Sequence, residues 1–270
     1  MASYGAGKPA AIIQHMTQDL FRTDAYLTEC TATVTALTAQ GIVLDRTVFY
    51  PLGGGQAGDA GTLVLADGST LAISDTRKGK DAEGQFTHEI CHIPSLDGDS
   101  LLSIQDFCAQ HSLQVGDPVT ARLDWARRHR LMRFHTTTHL LCHVVPQLVN
   151  GCSITPDAAR LDFHMTDPLD KDALTAAIAA LVAAAHPVTV GQITDAELDA
   201  NPALVKSMSV SPPRGSGTIR TIRIGDTEMI DFQPCGGTHV ANTSEIGAVV
   251  VTKIEKKSAT TRRVVLGFAG

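Results

Sequence analysis

Aromatic residues are scarce: Phe, Trp and Tyr together make up 4% of this 270-residue chain, with a single tryptophan. The core must therefore lean on Leu, Val, Ile and Ala. A surplus of positive charge is also missing, since 22 Lys and Arg stand against 28 Asp and Glu for a formal net charge of −6. That excludes a protein holding nucleic acid mainly through bulk charge, but not one with a local basic patch. No run approaches the roughly 18 apolar residues a membrane-spanning helix needs. The six cysteines, Cys30, Cys91, Cys108, Cys142, Cys152 and Cys235, show no regular framework spacing. No leader-like stretch precedes them, so reduced thiols in a cytoplasmic protein are expected. What remains, 43% hydrophobic and 19% charged, is an ordinary globular composition.

The first part of the chain reads as short strands joined by glycine turns. Thr31 to Leu37, Ile42 to Leu44 and Thr47 to Tyr50 are rich in β-branched residues, with Ala39-Gln40-Gly41 as a turn. Leu63 to Leu65 and Leu71 to Ile73 flank Asp67-Gly68, a hairpin signal, and Val119 to Leu123 is a further strand. Many short strands with little helix predict a small barrel. Near Trp125 the glycines stop. Apolar residues at Leu131, Phe134, Leu141, Val144, Val145 and Leu148 predict a helix over 127–148. A second helix is expected from Asp167-Pro168 through Leu169 to Ala185. Strands return at Thr218 to Ile224 and Thr227 to Phe232, and two apolar stretches, Ala248 to Ile254 and Arg263 to Phe268, close the chain. The whole is expected to be α+β, with a Gly-rich β-barrel domain over 1–120 and an α+β domain over 121–270.

Three motifs carry the chemistry. The first helix contains His135-Thr-Thr-Thr-His139. Histidines at i and i+4 share one face with Cβ atoms roughly 5–6 Å apart, so both rings can reach one ion. The threonines are poor helix formers, which points to a local demand for their hydroxyls or shape. His143 continues the stripe, and at about 12 Å it is too far from His135 to share an ion. Spacing alone leaves the pairs 135/139 and 139/143 both open. The second motif, Cys235-Gly-Gly-Thr-His239, places a thiol and an imidazole around two glycines that let the loop fold onto one ion. Cys235 with a neighbouring base is alternatively a nucleophile. Taken together, the two motifs offer three nitrogens and a sulfur, a set that zinc favours over harder ions. His88-Glu-Ile-Cys91-His92 has similar spacing but lies in a strand, where the histidines stand more than about 13 Å apart. The third motif, Gly53-Gly54-Gly55-Gln56-Ala57-Gly58-Asp59-Ala60-Gly61, lacks the Lys and the helix of a phosphate loop. It is a barrel corner, or a loop leaning over a site in the second domain.

The runs FYPLGGGQAGDAG (49–61), DWARRHRLMRFHTTTHLL (124–141) and DFQPCGGTHVANTSEIG (231–247) resemble the free-standing alanyl-tRNA editing proteins called AlaX, of medium length. They also resemble the editing domain of alanyl-tRNA synthetase. The likeness runs from about Thr23 to Arg263. It implies one zinc ion per chain on His135, His139, Cys235 and His239, with His143 left as a supporting or surface residue. It also implies that the Gly-rich loop assists editing. The partner so implied is the acceptor end of tRNA(Ala) bearing the wrong amino acid, with no membrane and no obligate protein partner. The segment EKKSATTRRV departs from the family, having Ser-Ala-Thr-Thr where glycines are common, so a changed loop is expected there.

The activity implied is zinc-dependent hydrolysis of the ester in mischarged tRNA(Ala), chiefly Ser-tRNA(Ala), with Gly-tRNA(Ala) a second candidate. The metal either activates water or anchors the substrate. Sparing alanine requires a group that hydrogen-bonds the serine hydroxyl. Thr136, Thr137, Thr138, Ser153 and Thr155 are candidates, with Thr155 favoured. Thr155 and Gln56 are the candidate catalytic residues. Gly53, Gly54, Gly55, Thr138, Arg133, Arg262 and Arg263 are the candidates for holding tRNA. The alternatives are a zinc hydrolase acting on another ester, a non-catalytic tRNA-binding module stapled by zinc, and a cysteine hydrolase using Cys235.

Overall fold

The structure, a computed structural model, describes residues 16–96, 102–209, 211–212 and 217–269. The N-terminal stretch on which the absence of a leader was read lies outside them. The chain opens with a short strand, β1 (Gln18–Asp19), followed by β2 (Glu29–Thr38), β3 (Gly41–Leu44), β4 (Arg46–Thr47), β5 (Gly61–Val64), β6 (Thr70–Lys80) and β7 (Phe86–Pro94). A short helix α1 (Ile104–Gln110) and strand β8 (Pro118–Leu123) follow. Six of these strands close an antiparallel barrel in the order β2-β3-β7-β6-β5-β8. Asp67-Gly68 forms the β5–β6 turn as the sequence predicts, with Gly68 at φ 85°.

The expected strand over 47–50 stops at Thr47, because side chains capture the backbone beyond it. Tyr50 N–H donates to Asp59 Oδ2, and Val48 O accepts from Arg128 Nη2 at 2.7 Å. The helix α1 has no counterpart in the sequence reading; Ser103 caps it by accepting from Asp106 N–H.

Next come α2 (Trp125–Val144), β9 (Val149–Ile154), β10 (Ala159–His164), α3 (Lys171–Ala183), β11 (Val188–Ile193) and α4 (Asp195–Ala200). The chain finishes with β12 (Ile219–Ile224), β13 (Asp231–Pro234), β14 (Val249–Ser258) and β15 (Thr261–Phe268). Asp124 caps α2, and Pro146 ends it short of the expected residue 148, since the residue before a proline is pushed out of helical geometry. α3 starts at the Asp170 cap rather than at Asp167-Pro168. β13 starts at Asp231, later than the expected Thr227. A four-stranded antiparallel sheet, β14-β15-β10-β9, and a three-stranded one, β11-β12-β13, complete the α+β part.

Two large hydrophobic cores result, beside a small cluster of Phe21, Tyr50 and Ile90. One fills the barrel; the other lies under α2 and α3, and Trp125 packs against both. The Gly-rich loop leaves the barrel and pairs with β9. Ile154 N–H donates to Gly55 O at 2.7 Å and Ala57 N–H to Ile154 O at 2.9 Å. Gly55, at φ 86°, must be glycine, because a Cβ there would sit 2.9 Å from Cys152 Sγ.

Candidate metal centre

α2 supplies half of the centre. His135 and His139 lie one turn apart on its buried side. The three intervening threonine hydroxyls each donate back to a helix carbonyl: Met132 O at 2.9 Å, Arg133 O at 2.8 Å and His135 O at 2.7 Å. This back-bonding lets poor helix formers sit in a buried helix. The loop after β13 supplies Cys235 and His239. Arg220 on β12 holds that loop by donating through Nη1 to Cys235 O (2.7 Å) and Gly237 O (3.0 Å). Gly237 lies flat on His135, where an added Cβ would be 2.1 Å from Cε1.

Each imidazole has its Nδ1 held by a different partner. His135 Nδ1–H donates to Gln56 Oε1 at 2.7 Å and His139 Nδ1–H to Asp231 Oδ2 at 2.7 Å. His239 Nδ1 lies 3.3 Å from Thr136 Oγ1, whose own proton goes to Met132, so the ring is the donor. The three Nε2 atoms are left to converge with Cys235 Sγ, and the four ligand atoms all lie within 4.8 Å of one another. Sγ is 3.4 Å from His135 Nε2 and 3.3 Å from His239 Nε2. Partners that fix ring orientation in this way are what a metal site requires.

The electrostatics match. Burial alone would raise the Cys235 thiol, yet the adjacent His135 and His239 hold it well below its ordinary 9.0. Burial pushes His239 down to about 3. His139 goes the other way, to about 9: burial is the largest single influence and lowers it, but the hydrogen bonds and negative charges of Asp231 and Cys235 together outweigh it. Asp231, though buried, is lowered to about 2 by His139 and by Lys206. A thiolate and rings ordered by fixed acceptors form a donor set that can hold a metal ion.

The centre sits in the wall of a cavity of about 640 Å³. Gly53, Gly54, Gly55 and Thr138 line it. Gln56 does not. It is fully buried beneath the centre, with Oε1 accepting from His135 and from Thr238 N–H (3.1 Å) and Nε2 donating to Thr238 Oγ1 (2.8 Å). Its contacts are thus with His135 and Thr238 and not with the cavity, where a catalytic group would be expected. Thr155 is an exposed turn residue between β9 and β10, its hydroxyl occupied by Ala158, and neither it nor Ser153 lines the cavity. His143 is exposed, so the pair that converges with Cys235 and His239 is 135/139. His92 belongs to the barrel core, bonded to Thr47 Oγ1 (2.7 Å) and Ile42 O (3.0 Å).

The three expected RNA-binding arginines are committed inside the chain. Arg133 donates to Ile246 O at 2.7 Å and stacks over Phe268. Arg263 makes a two-point ion pair with Asp162. Arg262 staples the β14–β15 turn through Ser258 O and also reaches Thr166 O. That turn, where the sequence led us to expect a changed loop, is a tight hairpin pairing Ser258 with Thr261. The basic groups that do line the cavity are Arg22, Lys78, Lys206 and Arg220, which the sequence reading passed over because they are scattered rather than clustered. Asp231 was missed too, although it opens the run that ends in His239.

Residues 16–127 match the family described as class II (A) tRNA synthetases, and residues 219–265 the second additional domain of threonyl and alanyl tRNA synthetases. An alanyl-tRNA editing protein AlaX-M from Methanosarcina barkeri is 34% identical over 92% of this chain and 98% of its own length. The chain belongs to the alanyl-tRNA editing protein family. Another AlaX-M, from Saccharolobus solfataricus, is 31% identical over the same shares. The alanine–tRNA ligase of Sulfurisphaera tokodaii is 33% identical over 89% of the chain but only 25% of the ligase. The two motif pairs that this family member carries are therefore joined in space as well as in sequence. No helix among its described residues is long and apolar enough to cross a membrane.

Proposed function

We propose that the protein is a zinc-dependent deacylase that removes serine from mischarged tRNA(Ala), acting as a free-standing editor in the cytoplasm. The observation that carries this reading is the convergence of His135, His139, Cys235 and His239, the first three of which line a cavity together with several basic groups. Three imidazole nitrogens and one thiolate fit zinc better than a hard, oxygen-seeking ion. When bound, zinc supplies the Lewis acidity that ester hydrolysis needs, applied to water or to the substrate.

The chain's own residues do the rest. Gln56, Asp231 and Thr136 hold the three rings in register, and Lys206 steadies Asp231 from its other oxygen. Of the five residues able to read a serine hydroxyl, Thr138 lines the cavity. Its proton goes to His135 O, and its oxygen keeps acceptor capacity for the substrate hydroxyl. Gly53, Gly54 and Gly55 offer backbone at close range to the terminal ribose. The two hydrophobic cores support a barrel domain over 1–120 and an editing domain over 121–270.

The test is deacylation of Ser-tRNA(Ala) by the purified protein, before and after chelation, with Cys235→Ala alongside. Loss of activity on chelation, return with zinc and inactivity of the variant are expected. Activity that survives chelation in folded protein would reject the zinc reading and leave Cys235 as a nucleophile.

A further inference from the structure

Lys78 is the β6 residue that lines the cavity, and it leads outward to an unusual ring. Phe86, the first residue of β7, pairs with Lys80 across the hairpin and is 69% exposed. Lys80 Nζ lies 5.3 Å from the ring centroid and Lys78 Nζ 5.9 Å. In a chain this poor in aromatics, Phe21, Phe49, Phe134 and Phe163 are all fully buried. Phe86 lacks such burial, and both lysine ammonium groups lie within cation–π range of its ring. The lysines in ion pairs among the described residues are Lys206 and Lys253, not these two. An exposed ring flanked by two ammonium groups, one of which lines a basic cavity, matches what single-stranded nucleic acid requires. A base stacks on the ring while its phosphates meet the cations.

We propose that Phe86, Lys78 and Lys80 form a stacking platform for one unpaired nucleotide of an RNA strand whose 3′ end enters the cavity. The base lies on Phe86, and the adjoining phosphates lie against Lys80 and Lys78 on the way in. Duplex RNA does not fit this surface, because its bases are already stacked. The exposed carboxylates Asp81 and Glu83 at the hairpin tip repel a backbone, so the strand runs from Phe86 toward the cavity and not past the tip. The inference rests on the reading of the cavity as an RNA-ester site.

Binding, not turnover, tests it. The full-length metal-loaded protein is titrated into a labelled, uncharged RNA hairpin with a short 3′ single strand, and into the same hairpin made blunt. Phe86→Ala is expected to weaken binding of the overhang hairpin about 10-fold and leave the blunt one unchanged, with Phe86→Trp restoring affinity. Lys78→Ala with Lys80→Ala is expected to lower the slope of log K against log salt by up to about 1.4. Equal binding of the overhang by Phe86→Ala and the unsubstituted protein overturns the platform. So does equal weakening toward both hairpins in a variant with full metal content. Overhang-selective binding without hydrolysis of the seryl ester would support the platform while rejecting the proposed activity.

Discussion

Gln56 and His135, 79 positions apart, share a hydrogen bond of 2.7 Å, so a loop of the barrel half orients a ligand of the metal centre in the other half. The same amide carbonyl accepts from Thr238 N–H, tying both motif pairs to one side chain. Removing Gln56 should therefore act on the metal without touching the cavity. Gln56→Ala is expected to weaken zinc about 10- to 100-fold in competition with a chromophoric chelator. Gln56→Glu, which keeps the acceptor, should recover part of the loss. Unchanged affinity in Gln56→Ala would show that the contact positions nothing.

Gly237 and Gly236 are neighbours with opposite tolerance. A Cβ at Gly237 would meet His135 Cε1 at 2.1 Å, whereas at Gly236 the nearest atom is Arg22 Nη1 at 3.5 Å. Gly237→Ala should lose stoichiometric zinc while Gly236→Ala keeps it, as measured by metal analysis after dialysis. Equal metal content in both would contradict the close packing of the loop on the ring.

Arg128 is fully buried and binds Asp59 through Nε and Nη2, with Nη1 on Ala25 O and Nη2 on Val48 O. It bolts the Gly-rich loop to α2. Arg128→Met leaves Asp59 buried without its partner, so unfolding free energy from urea titration should fall by about 3–5 kcal/mol. A loss under about 1 kcal/mol would mean the pair is not desolvated as the structure has it.

His92 is held neutral by burial, its pKa pushed down to about 4 from an ordinary 6.5. The unfolded chain therefore binds the extra proton first, and stability falls as pH drops from about 6.5 to 4, then levels. The full effect is at most about 3 kcal/mol. His92→Gln cannot charge, so its deficit relative to the unsubstituted protein should shrink as pH falls through that window. A deficit independent of pH in paired urea titrations would rule out a buried neutral ring.

The barrel was legible because its signals are local, whereas spacing left the histidine pairs 135/139 and 139/143 both open and the family resemblance chose the first. Turn residues such as Asp67-Gly68 need only nearby sequence. What escaped depends on contacts between distant segments. Gln56 reads as a catalytic candidate until its carbonyl is seen accepting from His135, and Asp231 as a strand residue until His139 is beside it. Arg262 and Arg263 read as a phosphate-binding cluster, since charge in sequence does not reveal that Asp162 and the turn carbonyls already occupy it. The strand at 47–50 failed for a related reason: the Arg128 and Asp59 side chains took the backbone groups that a neighbouring strand would have paired.

The most direct measurement is the ratio of hydrolysis rates for Ser-tRNA(Ala) and Ala-tRNA(Ala) by zinc-loaded protein. A pocket that hydrogen-bonds the serine hydroxyl through Thr138 should favour the seryl ester by at least about 100-fold, a preference that Thr138→Val removes. Equal cleavage of the two esters, or cleavage of neither by folded, zinc-loaded protein, would contradict an editing role.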